Sequence, residues 1–271
     1  MVVTKIGGEK SWQRQTTARQ MASWFAWLLL TALFVWCWQL MNQQTLWIFV
    51  QDAPQQAMDI GGRMLPPRWF YMEKLWIPLW DTLNIATLGT LLGVLLALPV
   101  SFLAARNTTP SLRYIRPVAL LLIVSSRSIN SLIWALLLVS ILGPGLLAGI
   151  IAIALRSIGF IGKLLYEAIE EIDTIQVEAV TASGASAAQI LDYGIIPQIM
   201  PAFAGITVFR WDINIRESTV LGLVGAGGIG LELSHSLNTL AWPQVSLIFI
   251  VILGTVVVSE WVSAKVRYAI I

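Results

Sequence analysis

Residues 79–105 read LWDTLNIATLGTLLGVLLALPVSFLAA, an apolar run with one charged residue, Asp81. A helix rises about 1.5 Å per residue, and a hydrocarbon core of about 30 Å needs about 20 apolar residues to cross it. This run is long enough. It marks the chain as a membrane protein, and the rest of the sequence can be read outward from it.

Five further runs satisfy the same test: Trp24 to Leu40, Pro117 to Leu142, Leu146 to Tyr166, Pro201 to Val224 and Pro243 to Val262. The expected fold is therefore an all-α integral membrane protein of about six transmembrane helices. Composition agrees. The 271 residues are 57% hydrophobic and 12% charged, with a mean hydropathy of +0.75. A soluble domain is roughly 45–50% apolar and about 25% charged. Too little polar surface remains to solvate a globule of this size, which excludes an ordinary soluble enzyme and a disordered chain. A net charge of +2 gives no electrostatic pull toward nucleic acid. One cysteine, Cys37, excludes a disulfide scaffold, and one histidine, His235, excludes a multi-histidine metal site. Many of the 13 tryptophans flank the apolar runs, as in interfacial belts.

Cationic loops sort to the cytoplasmic side. With the N-terminus inside, the inner segments carry Lys5, Lys10, Arg14, Arg19, Arg106, Arg113, Arg116, Lys163, Lys265 and Arg267. The outer segments carry only Arg63, Arg68 and Lys74. Ten against three places both termini in the cytoplasm. Residues 1–23 read as a cytoplasmic tail, since no small-x-small cleavage site follows the first run. Residues 24–266 read as the six-helix domain, and 267–271 as a cytoplasmic end. The outer segment 41–78 contains Pro66-Pro67, which breaks a helix. Gly143-Pro144-Gly145 is a tight outer turn.

The inner connection 167–200 is acidic. It holds Glu167, Glu170, Glu171, Asp173, Glu178 and Asp192 and no Lys or Arg. Within 175–197, apolar residues recur at helical spacing on either side of Gly184. This predicts two short helices with a bend at the glycine, the second ended by Pro197. The segment resembles the Glu-Ala-Ala loop of ABC-importer permeases. Glu178, Ala179, Gly184 and Pro197 fall on that pattern in register, with Val180, Gly194 and Ile196 departing from it. Met64-Leu65-Pro66-Pro67, Ala104-Ala105-Arg106-Asn107, Ser157-Ile-Gly159-Phe-Ile-Gly162-Lys163 and the stretch from Arg210 to Gly230 are similar to phosphonate/phosphite-type permeases. The likeness covers about residues 60 to 265. It implies a type I importer permease in a bacterial inner membrane, working as a pair of permease subunits. Two separate ATPase subunits would dock on the 175–197 loop, with ATP and Mg held there and no cofactor on this chain. A periplasmic binding protein would deliver a small phosphorus oxyanion.

Ionisable residues inside a membrane are costly and are functional candidates by default. The fifth run holds Arg210, Asp212, Arg216 and Glu217, with Asn214 among them. At about 100° per residue, Arg210, Asn214 and Glu217 share one face, while Asp212 and Arg216 form an i,i+4 pair on the other. The first face is expected to line a pathway, with helix-to-helix glue the competing role; the second is expected to be a structural ion pair packed against neighbouring helices. Arg156 falls near the midplane and is a possible partner of Glu217. Arg127 and Asn130 lie in a polar stretch, Ser125 to Ser131, suited to an oxyanion or to snorkelling toward the inner surface. The family usually has a proline near Asn130, so less bending is expected here. Gly225 to Gly230 follows a membrane helix rather than a strand and lacks a Lys-Ser/Thr, so it reads as the close-packed end of the fifth span, not a nucleotide loop.

No nucleophile–base pair or metal cluster supports a membrane-embedded enzyme. An ion-coupled carrier using Asp212 and Glu217 is the alternative; it has no need of an ATPase-docking loop.

Overall fold

The computed structural model describes residues 2–6, 9–13 and 17–270; Arg14 and Ile271 lie outside them. The chain divides into two compact units, 1–59 and 60–271. The first begins with a short antiparallel ladder, β1 (Val2–Ile6) and β2 (Glu9–Gln13), pairing Val2 with Gln13 and Ile6 with Glu9. This ladder is an addition to the expected all-helical plan. Helix α1 (Thr17–Gln44) follows and leaves Trp24, Leu28, Phe34 and Trp36 exposed, as a lipid-facing span does. Helix α2 (Trp47–Met64) fills the middle of the outer segment 41–78, ahead of the expected Pro66-Pro67 break. It ends where Pro66-Pro67 forbids continuation, and a 3-10 turn at Trp69–Tyr71 leads on.

The second unit contains α3 (Met72–Ala104), α4 (Ile115–Ser128), α5 (Ser131–Leu142), α6 (Leu146–Glu170), α7 (Thr174–Ala182), α8 (Ala187–Gln189), six residues of π-helix (Ile190–Ile195), α9 (Ile196–Gly222), α10 (Ile229–Asn238) and α11 (Trp242–Ile270). Five helical segments among the described residues are long and apolar enough to cross a membrane, and the pair α4–α5 makes a sixth if taken as one broken span. The centre of the unit is the crossing of α3 and α6. A Cβ on Gly89 would sit 2.7 Å from Ile153 Cγ2, and one on Gly93 2.6 Å from Ser157 Cβ. Small residues one turn apart let two backbones approach closely where water supplies no hydrophobic drive.

Three expectations are corrected. The third span is not straight: α4 and α5 meet at 87°. Ile129 is extended, and the Asn130 side-chain carbonyl accepts from Leu132 N at 3.2 Å, so Asn130 starts a new helix inside an apolar run without any proline. Pro197 does not end a helix. It sits in the first turn of α9, where its missing N–H costs nothing. The second short helix opens into π-helix around Gly194 and runs directly into α9. Finally, Gly230 does not belong to the end of the fifth span: it lies in α10, a separate helix between the fifth and sixth runs. This helix packs Ile229 and Leu233 on Leu75 of α3 and on Val245 and Ile248 of α11.

Candidate functional site

Helix α9 carries its charges to two different neighbours. On the first face, Arg210 lies against α6: its Nε donates to Ser157 Oγ at 3.0 Å, and its guanidinium carbon is 5.1 Å from the Phe160 ring centroid. Its two terminal nitrogens donate to the two oxygens of Glu217, each at 3.4 Å. Arg156 reaches the same carboxylate, Nε to Oε1 at 3.3 Å. Asn214 Nδ2 donates to Thr90 Oγ1 at 2.7 Å and Ser157 Oγ at 3.1 Å. Its Oδ1 is buried with no donor among the described residues. The sequence-derived grouping of Arg210, Asn214, Glu217 and Arg156 is thus one physical cluster, joined by Ser157, Thr90 and Phe160, which periodicity along α9 does not reveal. One carboxylate serves two guanidiniums, so the cluster is net positive.

Exposure splits the three charges. The Arg210 side chain is 2% exposed, Glu217 19% and Arg156 29%. Arg210 is therefore an internal anchor, and Arg156 is the arm at the open edge. Arg156 lies ten residues into α6, about 15 Å, near the middle of a slab about 30 Å thick.

On the second face, Asp212 pairs with Arg216 and accepts from Ser259 Oγ of α11 at 2.8 Å. The pair was expected to pack whole against neighbours. Only the acid does so: Asp212 is 6% exposed and Arg216 47%.

Arg127 and Asn130 stand apart from these clusters. Arg127 is exposed and has no ion pair or hydrogen bond among the described residues. Its stem presses on Gly159, where a Cβ would sit 2.6 Å from Arg127 Cγ. Asn130 spends its carbonyl on capping α5. Glu178 and Ala179 fall in α7, capped by Asp173, whose carboxylate accepts from Ile175 N at 2.9 Å. Gly184 makes the bend with φ +81°, and a Cβ there would meet nothing within 4 Å. Ile175, near the start of α7, and Tyr193 are exposed. At the far end of α9, Gly222 and Gly230 cross at backbone contact, and Thr82 Oγ1 accepts from Ile229 N at 2.8 Å. An apolar groove of about 540 Å³ between Trp69, Leu79, Trp211, Leu247 and Val258 has almost no polar surface and is no place for an anion. Among the described residues no three His, Cys, Asp or Glu side chains gather as a metal site.

Comparison with known proteins agrees with this architecture. Residues 89–264 match the family described as binding-protein-dependent transport system inner membrane component. The phosphite transport system permease protein PtxC of Stutzerimonas stutzeri is 40% identical over 234 residues, covering 85% of this chain and 83% of that protein. The phosphate-import permease protein PhnE of Mycolicibacterium smegmatis is 39% identical over 216 residues, covering 80% of this chain and 40% of that protein. Among solved structures, the inward-facing MetNI methionine ABC transporter superposes with a TM-score of 0.65 at 21% identity, covering 75% of this chain and 99% of that one. The fold is that of ABC-importer permeases, and the chain belongs to the family of binding-protein-dependent transport system inner membrane components.

Proposed function

We propose that this chain is the permease subunit of a bacterial ATP-driven importer that moves a small phosphorus oxyanion, such as phosphite or a phosphonate, across the inner membrane. The observation that carries the reading is the net-positive Arg156–Glu217–Arg210 cluster at membrane depth. Charge is expensive there and is kept where it does work. Guanidinium forks match tetrahedral oxyanions, and a shared carboxylate weakens their hold so the cargo is released. The names of the 40%- and 39%-identical relatives point to the same class of cargo. Arg127 and Asn130 border a helix break at membrane depth, where irregular backbone is tolerated only if buried or beside water, so they fit the inner stretch of the same path.

In this reading two copies of the chain enclose the path, and both termini are cytoplasmic. Two ATPase subunits, holding ATP and Mg, grip Glu178, Ala179 and the Gly184 bend, with Pro197 starting the helix that carries the push into α9. A periplasmic binding protein loads the other side. The ion-coupled carrier is disfavoured because Asp212 and Glu217 are both engaged by guanidiniums of this chain.

The test is reconstitution of the chain with its ATPase and binding protein in proteoliposomes, reading ATP-dependent phosphite uptake. Two outcomes are expected beyond uptake itself. Arg156→Gln should cut uptake at least about tenfold, because one charge–oxyanion contact is worth more than ~1.4 kcal/mol at an effective dielectric of ~20, while the assembled complex is recovered normally. Gly184→Val should act differently. The left-handed conformation costs a branched residue about 1–3 kcal/mol, so the bend shifts and ATP hydrolysis is no longer stimulated by loaded binding protein. Wild-type stimulation in Gly184→Val would remove 175–197 as the docking loop.

A further inference from the structure

The Asp212–Arg216 pair is oddly placed for a structural ion pair. Ser259 fixes its depth. Along α11, Ser259 is about 25 Å from Trp242 and about 17 Å from the other end, and Arg216 lies one turn of α9 away from Asp212 toward Gly222. Arg216 therefore sits close to the middle of the membrane. A pair that glued helices together would bury both members, yet Asp212 is buried and Arg216 is half exposed. Lipid is no environment for that exposed guanidinium, so the surface beside it borders either water or another protein copy.

That surface can be identified. At about 100° per residue, the exposed Phe209 and Val220 lie within about 40° of Arg216 on one side of it, and Glu217 lies beyond them, about 100° from Arg216. The open stripe of α9 is thus flanked by Arg216 on one side and by the Glu217–Arg156 pair on the other. Among the described residues Asp212 is the only partner of Arg216, so most of the guanidinium donors remain available. Taken together, Arg156, Arg210 and Arg216 against Asp212 and Glu217 leave one positive charge per chain. Two copies leave two, equal and opposite to a doubly charged oxyanion.

We propose that Arg216 presents its guanidinium to the translocated oxyanion across this stripe, with Asp212 and Ser259 as the positioning groups that aim it and moderate its hold. The proposal rests on the permease reading and adds a substrate-contacting residue to it. Asp212 holds Arg216 on the α11 side while its remaining donors face the stripe. The acid also keeps the site from becoming a trap, as Glu217 does for Arg156.

The experiment has two arms, both in the complete complex with its ATPase and binding protein in lipid nanodiscs or proteoliposomes, in a Cys37→Ser background. In the first, Arg216→Cys is treated with an anionic, membrane-impermeant methanethiosulfonate. The introduced thiol should react, and inorganic phosphite should slow the reaction at least twofold. This arm reads accessibility whether or not phosphite proves to be the cargo. No reaction in either the nucleotide-free or ATP-bound state would overturn the proposal. In the second arm, Arg216→Gln should lower phosphite uptake per assembled complex at least tenfold, and Arg216→Lys should recover part of it. Normal uptake per complex with a lower yield or melting temperature would make Arg216 a packing residue and end the proposal. Absence of uptake by the wild-type complex would instead count against phosphite as cargo, while the thiol reaction still decides the exposure of Arg216.

Discussion

Glu217→Gln should lower the melting temperature of the purified permease more than Arg210→Gln or Arg156→Gln does. The reason is that the cluster is unequal in its bookkeeping of charge. Glu217 is the one carboxylate shared by Arg210 and Arg156, at 3.4 and 3.3 Å. Removing either arginine leaves it paired with the other. Removing the carboxylate leaves Arg210 charged, almost wholly buried and beside a second guanidinium. Breaking a buried pair from one side costs about 3–5 kcal/mol; the partial exposure of Glu217 puts this case near the lower figure. Ser157 and Phe160 soften but do not replace the lost counter-charge, since one supplies a neutral acceptor and the other a ring face. Adding Arg210→Gln to Glu217→Gln should recover part of the loss, because the orphaned charge is gone. A thermal melt of the four proteins in one detergent decides it. Equal losses for the three single variants, or a double variant worse than Glu217→Gln, would show that the cluster is not organised around the carboxylate.

The spans were legible because crossing a bilayer needs a long apolar run, and that is a property of composition. So was the Arg210–Asn214–Glu217 face, since residues on one helix are related by a fixed rotation. What lay across helices was not legible. Ser157, Thr90 and Ser259 are small hydroxyls in apolar runs, and nothing in their own neighbourhood says which charge they will meet. The fate of Arg216 was hidden for the same reason: the i,i+4 spacing gave the pair, and only packing against α11 could say which member is covered. Helices α2 and α10 were missed because neither is a long apolar run. The α4–α5 break did carry a local cue. Asn130 before Ser131 is a helix start, but it sits inside a run whose apolar character argues for continuity, as does the lack of a proline there. Pro197 shows the converse. A proline reads as a stop, yet it is equally suited to the first turn of the next helix.

Gly230→Val should prevent accumulation of a folded permease. The chain leaves α9 at Gly222, turns through Gly225, Gly227 and Gly228, all at positive φ, and enters α10 so tightly that α9 and α10 touch backbone to backbone. A Cβ on Gly230 would run into the Thr219 carbonyl oxygen and lie 2.9 Å from Gly222 Cα. Neither neighbour is a flexible side-chain tip, so the clash is relieved only by parting two helices. Overpacking usually costs about 1–3 kcal/mol and more where nothing yields. Parting these helices also pulls Ile229 N from Thr82 and lifts Ile229 and Leu233 off Leu75. Gly254→Ala is the control. It lies within α11, with nothing inside 4 Å of its would-be Cβ, and replacing a helical glycine there should be neutral or gain up to about 1 kcal/mol. Membrane yield and size-exclusion profiles of the two variants separate the outcomes. Folded Gly230→Val at wild-type yield would mean that the α9–α10 crossing is not as close as the backbone positions make it.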